Sequence, residues 1–145
     1  MNTVINGKNV PISGYPTASP SYWTVDGTAT GASKTFDNAI ECAGFSKYVY
    51  NYIWGSTTYG RKIPARDCVG NSNDFYNISI GARINCTGPN GNHSMVLIGM
   101  TINDVTVYDA NWKNYNTENC RVDQRTYTFA EFAGIFSSIN SGYCR

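Results

Sequence analysis

The clearest hydrophobic pattern in this sequence is a helical stripe within residues 41–55. Apolar side chains recur there at the i, i+3, i+4, i+7 and i+8 spacing of one helix face: Phe45, Tyr48, Val49, Tyr52 and Ile53. Gly55 is a typical helix stop. Because the stripe extends backward by three residues to Cys42, it predicts a helix with this cysteine in its first turn, on the inward face.

Three later segments have the composition of β-strands. The runs over 78–84 and 93–100 are short and apolar, and residues 105–112 alternate between apolar and polar positions. A turn-rich stretch over 56–77 precedes them, and a loop rich in Gly and Asn is expected over 85–92. The run that begins at 93 predicts a central strand, joined by a short turn to the strand that follows it.

A capping-box motif marks the last predicted element. Thr128 and Glu131 have the Ser/Thr-x-x-Glu spacing of a helix start. The helix that they open is expected to place four apolar side chains on one face: Phe132, Ile135, Phe136 and Ile139. This order of elements predicts an α+β fold, in which an N-terminal helix bearing Cys42 packs on a small antiparallel β-sheet and a C-terminal helix closes the structure. Residues 1–145 are expected to form one domain, with an irregular N-terminal arm over 1–35.

Composition narrows the functional classes. Charged residues make up 14% of the chain, the formal net charge is +1, and no basic run occurs, so we expect no nucleic-acid partner. The longest apolar run is far shorter than the roughly 20 residues of a transmembrane helix, so no transmembrane segment is expected. The first residues lack the features of a signal peptide. The loop-rich, weakly charged composition nevertheless favours a secreted or cell-envelope protein, delivered by another route or with its leader removed.

The five cysteines allow two interpretations. An odd number leaves at least one thiol outside any intramolecular disulfide set. If Cys42 is the free one, the other four form two bridges in one of three pairings; alternatively, all five are ordinary buried thiols. With a single histidine and no Cys-x-x-Cys spacing, the sequence predicts no metal site and no cofactor.

Cys42 and His93 are the strongest candidates for chemistry. The amide dipoles at a helix start favour the thiolate, which is the reactive form of cysteine, and the free N–H groups there can stabilise an oxyanion. His93 is the sole histidine and begins the predicted central strand, at a point where a strand end meets solvent. Alone, a helical cysteine is more often a buried space-filler and a lone histidine more often structural. Their combination favours a nucleophile and its general base.

A third residue should orient His93 and stabilise its charged form. Asp109 and Asn111 lie on one face of the predicted strand over 105–112, so both are eligible. A chain reversal centred on Thr101 places Asp109 opposite His93, whereas one shifted by a residue places Asn111 there. We favour Asp109, because a full negative charge stabilises an imidazolium better than an amide does. Its structural alternative is a carboxylate that caps the following loop.

The residues immediately before Cys42 are ambiguous. Asn38 and Glu41 have the spacing of a second capping box, with Asn38 as the N-cap, which would make Glu41 structural. A carboxylate beside the nucleophile tends to raise the thiol pKa and so opposes its activation. Asn38 could instead supply a donor to an oxyanion.

Three short motifs resemble bacterial papain-like amidohydrolases of the CHAP and NlpC type. They are Cys42-Ala43-Gly44-Phe45, His93-Ser94-Met95-Val96 and Tyr108-Asp109-Ala110-Asn111-Trp112, and the likeness spans roughly residues 36 to 136. The resemblance implies a papain-like fold and cleavage of amide bonds in cell-wall peptides through a thioester. Cys42 would attack, His93 would transfer the proton and Asp109 would hold the ring. Many such domains carry Gln before the cysteine, whereas this chain has Glu41.

Three functional hypotheses follow. The first is a peptidoglycan amidase or endopeptidase that uses Cys42, His93 and Asp109. The second keeps this chemistry but acts on proteins, as an effector or toxin with protease, deamidase or acyltransferase activity; a toxin would imply an immunity or inhibitor protein as a partner. The third is a non-enzymatic, disulfide-stapled binding module with an aromatic surface, suggested by five residues: Tyr48, Tyr50, Tyr52, Trp54 and Tyr59.

Overall fold

The computed structural model describes residues 3–15, 21–24, 33–112 and 120–145. A short hairpin, β1 (Thr3–Ile5) and β2 (Lys8–Val10), opens the described chain and is followed by β3 (Ser21–Tyr22). Helix α1 spans Glu41–Trp54. The remaining elements, in chain order, are β4 (Arg61–Lys62), β5 (Arg66–Asp67), a 3₁₀ turn (Ser72–Phe75), β6 (Arg83–Gly88), β7 (Gly91–Met100), β8 (Asp104–Ala110), β9 (Arg121–Thr128), α2 (Phe129–Ile135) and β10 (Ser138–Cys144).

One antiparallel sheet of eight strands dominates the described part of the chain. Its order is β3-β9-β8-β7-β6-β10-β4, with β5 also paired to β10. Strand β7 lies at its centre, and Met95 to Ile98 are fully buried along it. A strand that is buried on both faces needs a nearly continuous apolar run, which this segment supplies.

The two helices pack against opposite faces of this sheet. Helix α1 contributes Phe45, Val49 and Ile53 to one core cluster, where they pack with Val96 and Tyr108 of the sheet. The predicted helix over 41–55 is therefore confirmed, and Gly55 ends it in the left-handed conformation with φ of 75°.

The other core cluster lies under α2. Phe132 and Phe136 pack there against Met95, Leu97 and Val107, which project from the central strands to that face. The two clusters together cover both faces of β7 and β8, the strands that carry His93 and Asp109.

The predicted fold class is wrong. Strand accounts for 44% of the described structure and helix for 20%, so the fold is mostly β and not an α+β arrangement of a helix on a small sheet. Nor does α2 close the structure, because β10 follows it and enters the sheet between β6 and β4. The short strands β3, β4 and β5 were missed because they have two residues each, and β10 was missed because the consecutive residues Asn140, Ser141 and Gly142 interrupt its apolar pattern. Their strand conformation depends on the partners beside them.

Several local predictions also need correction. Of the strand predicted over 78–84 only the end is extended, since β6 begins at Arg83. The loop predicted over 85–92 is instead the β6–β7 hairpin, with a turn at residues 89–90. The capping box of α2 is confirmed, but that helix ends at Ile135, so Ile139 belongs to β10. The strand predicted over 93–100 is confirmed within β7.

Candidate active site at the start of helix α1

Helix α1 begins without a side-chain cap. Its N-cap is Ile40, which provides no capping hydrogen bond, and Glu41 has a left-handed φ of 54°. The predicted capping box at Asn38 is therefore wrong. Asn38 occupies a tight turn with Asp37, both at positive φ, closed by two hydrogen bonds between Phe36 and Ala39. The N–H of Glu41 donates to Oγ of Ser33, and the other N–H groups at the start of the helix have no side-chain acceptor among the described residues.

His93 lies at the beginning of the buried part of β7. Its side chain is 7% exposed, and Nε2 lies 2.6 Å from Oδ2 of Asp109 on the neighbouring strand β8. The Cys42 side chain lines the same cleft as His93, and the thiol is one of the groups that raise the pKa of the ring. The structure therefore brings together the three residues that the sequence suggested, with the imidazole in the middle.

Strand register alone would have selected the other candidate. Val96 pairs with Tyr108 and Leu97 with Val107, so the same register continued toward the site puts Asn111, not Asp109, opposite His93. The His93 side chain instead reaches diagonally to Asp109, two residues nearer the core. Diagonal neighbours on one face of an antiparallel pair lie within reach of long side chains. Asn111 instead donates a hydrogen bond from Nδ2 to Oε2 of Glu41, at 3.3 Å.

The surroundings of His93 stabilise its charged form. Burial by itself would lower its pKa, but the hydrogen bonds that the ring makes with Asp109 and Cys42, and the negative charge on each partner, outweigh burial and raise the pKa to about 9. An imidazole in this environment holds a proton firmly near neutral pH. A proton taken from the thiol therefore remains on the ring until a leaving group accepts it.

Arg125 completes the polar cluster, although the sequence analysis did not include it. Its guanidinium donates to the same Oδ2 atom of Asp109 that binds His93. The guanidinium also packs over the ring of Trp112, 4.8 Å from the centroid, and near Tyr127 at 5.8 Å. The carboxylate is thus held between two cationic groups. The sequence signal that could have identified Arg125 is the alternate spacing of Asp123, Arg125 and Tyr127, which places the three side chains on one face of a strand.

Two aromatic rings pack against the His93 imidazole. The Trp112 ring centroid lies 5.1 Å from that of His93, and the Phe136 ring stacks nearly parallel to the imidazole, with a centroid distance of 6.3 Å and an interplanar angle of 14°. These rings exclude water from the contact between His93 and Asp109, and a lower local dielectric strengthens that contact.

A cleft of about 170 Å³ opens over these groups. Its lining combines the start of α1, the beginning of β7 and the end of β8: Glu41, Cys42, Asn90, Gly91, Asn92, His93, Asn111 and Trp112. Cys42 is partly exposed to it, whereas Asp109 is fully buried behind the imidazole. A thiol with solvent access, an imidazole and a buried carboxylate, in that order, can transfer a proton inward as the sulfur bonds to a substrate.

All five cysteines are free thiols, so neither of the disulfides considered from the sequence is formed. Burial raises the pKa of Cys68 to about 11, that of Cys120 to about 12 and that of Cys86 well above its usual value. These thiols are poor nucleophiles near neutral pH. Within the described ranges no three His, Cys, Asp or Glu side chains are grouped as metal ligands, and no helix there is long and apolar enough to cross a bilayer.

Comparisons with known proteins give little guidance. No model of a protein family matches the sequence, and no curated protein matches it. The solved structure of the wild-type endolysin LysIME-EF1 is similar over 76% of this chain, with 16% sequence identity and a TM-score of 0.44. The match covers 58% of the endolysin chain. A TM-score of 0.44 is too low to establish a shared fold, so any functional conclusion must come from the site itself.

Proposed function

We propose that this protein is a cysteine hydrolase that cleaves amide bonds through a thioester on Cys42. The observation that carries the proposal is the position of the chain's only imidazole, which lines one cleft with the Cys42 thiol and bonds to the buried carboxylate of Asp109. This arrangement supplies a nucleophile, a general base and a residue that orients the base. The cleft lined by Cys42 gives a substrate access to the sulfur.

The first half of the reaction forms the thioester. His93, whose raised pKa keeps the ring protonated near neutral pH, already holds the proton released by the thiol, and the Cys42 thiolate attacks the carbonyl carbon of the scissile amide. The negative charge that develops on the carbonyl oxygen lies at the start of α1, where uncapped N–H groups and the helix dipole stabilise it. The carbon–nitrogen bond then breaks, and the imidazolium gives its proton to the departing amine.

The second half regenerates the enzyme. A water molecule loses a proton to His93 and attacks the thioester carbonyl, the carbon–sulfur bond breaks, and the thiol recovers the proton from the ring. Asp109 remains ionised throughout and stabilises the imidazolium in both halves. The proton therefore stays between Cys42 and His93 until a leaving group or water exchanges it.

We further propose peptide bonds of peptidoglycan as the substrate. The support is the resemblance of the segments 42–45, 93–96 and 108–112 to bacterial amidohydrolases of the CHAP and NlpC type. One position departs from that pattern, since Glu41 replaces the Gln that many of those domains carry before the cysteine. The oxyanion donors proposed above are therefore backbone N–H groups and not the side chain of residue 41.

Incubation with purified muropeptides tests this function. Wild type is expected to release products with new amine and carboxylate ends, and Cys42→Ala is expected to release none. Cys68→Ala is the matched control, because it removes another partly buried thiol that lies outside the cleft. Equal product from wild type and Cys42→Ala would exclude the hydrolase. Hydrolysis of an activated ester by wild type alone, with intact muropeptides, would retain the chemistry and exclude this substrate.

A further inference from the structure

The formal charges of the described groups at the site do not sum to zero. In the state with a thiolate and an imidazolium, Cys42 and Asp109 carry two negative charges, and His93 and Arg125 carry two positive ones. In the state with a neutral thiol and imidazole, Asp109 and Arg125 still cancel each other. Among the described groups, both states therefore leave one uncompensated charge at the cleft, the carboxylate of Glu41.

Glu41 has a strained backbone conformation and is held by two hydrogen bonds. Its backbone has φ of 54°, a conformation that L-residues other than Asn and Asp seldom adopt. Its N–H donates to Oγ of Ser33 at 2.8 Å, and Oε2 accepts from Nδ2 of Asn111 at 3.3 Å. Asn111 is 8% exposed and also lies at positive φ, with φ of 63°. Two residues at positive φ, one from α1 and one following β8, thus fix this carboxylate at the cleft.

No cation in the described ranges pairs with this carboxylate. The ion pairs there involve Asp37, Asp109 and Asp123, and none involves Glu41. Among the described residues that line the cleft, none is a lysine or an arginine. Since Asn111 is a neutral amide, it orients the carboxylate without neutralising it. A negative charge beside the nucleophile would oppose both thiolate and oxyanion unless something positive offsets it.

We propose that Glu41 is a specificity-determining residue that selects substrates carrying an ammonium group next to the scissile bond. The ammonium group of a bound substrate supplies the positive charge that the cleft lacks. It thereby removes the repulsion that Glu41 exerts on the thiolate and on the developing oxyanion. This inference rests on the proposed cysteine hydrolase, because it identifies the substrate class of the same cleft. Asn111 acts as a positioning residue for the carboxylate.

Thiol reagents of opposite charge test the inference without any turnover. The probes are 2-aminoethyl methanethiosulfonate, a cation, and 2-sulfonatoethyl methanethiosulfonate, an anion. In each reaction the Cys42 thiolate attacks the sulfenyl sulfur, a disulfide forms and methanesulfinate leaves. The rate of Cys42 labelling is followed by peptide mass spectrometry near pH 7, with Cys42→Ala as the blank for the other thiols.

Wild type is expected to react about tenfold or more faster with the cation than with the anion, relative to a small free thiol. Glu41→Gln is expected to lose this preference, while Asp104→Asn is expected to keep it. Asp104 is a suitable control because it begins β8, about 17 Å along the strand from Asp109, and because Asn retains the acceptor for the Thr101 hydroxyl. An equal ratio in wild type and Glu41→Gln would overturn the inference.

A pair of peptide substrates provides the second readout. The two peptides differ only in a free or an acetylated amine beside the scissile bond. Wild type is expected to prefer the free amine by about tenfold in kcat/KM, and Glu41→Gln is expected to show no preference. Charge selectivity in labelling, combined with no hydrolysis by wild type, would reject the proposed hydrolase and leave the cation site standing. Hydrolysis without any dependence on Glu41 would reject the cation site alone.

Discussion

Helix α2 begins at a complete capping box, whereas helix α1 begins at Ile40, which offers no side chain to the free N–H groups. In α2, Thr128 Oγ1 accepts from the N–H of Glu131 at 3.1 Å, and Glu131 accepts from the N–H of Thr128 at 2.8 Å. In α1, Glu41 enters at positive φ. The helix that serves packing alone is therefore optimised locally, and the helix that presents Cys42 is not.

This difference has a physical reason. A side-chain cap satisfies the first N–H groups of a helix, and groups that are already satisfied cannot stabilise an oxyanion. Local rules of helix design are most often broken where a site requires it. The start of α1 also lines the cleft of about 170 Å³, whereas neither Thr128 nor Glu131 at the start of α2 lines it.

The largest expected effect is at Asp109, which connects the start of α1 to the sheet through His93. Asp109→Asn should lower kcat/KM about a thousandfold, because the imidazole loses the charge that stabilises its protonated form. The high-pH limit of activity, expected near pH 9 from the raised pKa of His93, should move to lower pH. Hydrolysis rates across pH 5 to 10 measure both effects.

Asp123→Asn is the control for that substitution. Asp123 lies opposite Asp109 on β9 and pairs with Arg121 at the surface, so its removal changes the local charge equally without touching His93. A similar loss of activity in both variants would mean that Asp109 acts through the general field of the site and not through its bond to the ring.

His93, beside the start of α1, and Glu131, at the start of α2, should contribute to folding stability with opposite dependence on pH. The folded-state pKa of His93 is raised to about 9 from 6.5. Its stabilising contribution, about 3 kcal/mol for this shift, is fully present below pH 6.5 and is lost as pH rises through 9. The pKa of Glu131 is lowered by its hydrogen bonds with the backbone and side chain of Thr128. That contribution is present at neutral pH and is lost as pH falls through the lowered value.

Urea unfolding at a series of pH values checks both windows. His93→Gln should remove the decline between pH 6.5 and 9 and leave the acid side unchanged. Glu131→Gln should flatten only the acid side. If His93→Gln left the alkaline decline intact, the contact between His93, Cys42 and Asp109 would contribute nothing to the pH dependence of folding.

A smaller effect is expected at Arg125, which shares the Asp109 carboxylate with His93. Arg125→Met keeps much of the packing on Trp112 but removes the competing positive charge, so the high-pH limit of activity should move upward while kcat falls about tenfold. Arg125→Lys keeps the charge and should leave the limit near its original pH. A limit that stays in place in both variants would show that Arg125 only packs against the rings.

The sequence predicted the two elements that carry Cys42 and His93 better than the fold around them. The helical stripe leading to Cys42 and the apolar run starting at His93 are strong periodic signals, so α1 and β7 appeared where expected. The strand β10 has no such signal, because its conformation depends on pairing with β4, β5 and β6. Arg125 was missed for a similar reason, since its contact with Asp109 depends on the register between β8 and β9.

The choice between Asp109 and Asn111 shows the limit of register arguments. The favoured residue is the one that contacts His93, but charge and not register was the reason for favouring it. The strand register points to Asn111, and only the length and direction of the His93 side chain bring it to Asp109. The capping box predicted at Asn38 failed for a related reason: two positive-φ residues form a turn there, and the helix starts three residues later.

Removing the cap of α2 and adding a cap to α1 tests the comparison most directly. These two substitutions are expected to have the smallest effects. Thr128→Ala should lower the free energy of unfolding by about 1 kcal/mol and leave hydrolysis unchanged, because α2 loses its cap far from the cleft. Ile40→Asp should instead raise the free energy of unfolding and lower the rate of hydrolysis. Ile40 has the extended backbone of an N-cap and is 46% exposed, so a carboxylate there can cap α1 with little lost burial. Stability should rise by up to about 1 kcal/mol, while kcat falls because the first-turn N–H groups no longer bind the oxyanion. If Ile40→Asp gained stability with full kcat, the oxyanion would have to lie elsewhere, and the open start of α1 would need another explanation.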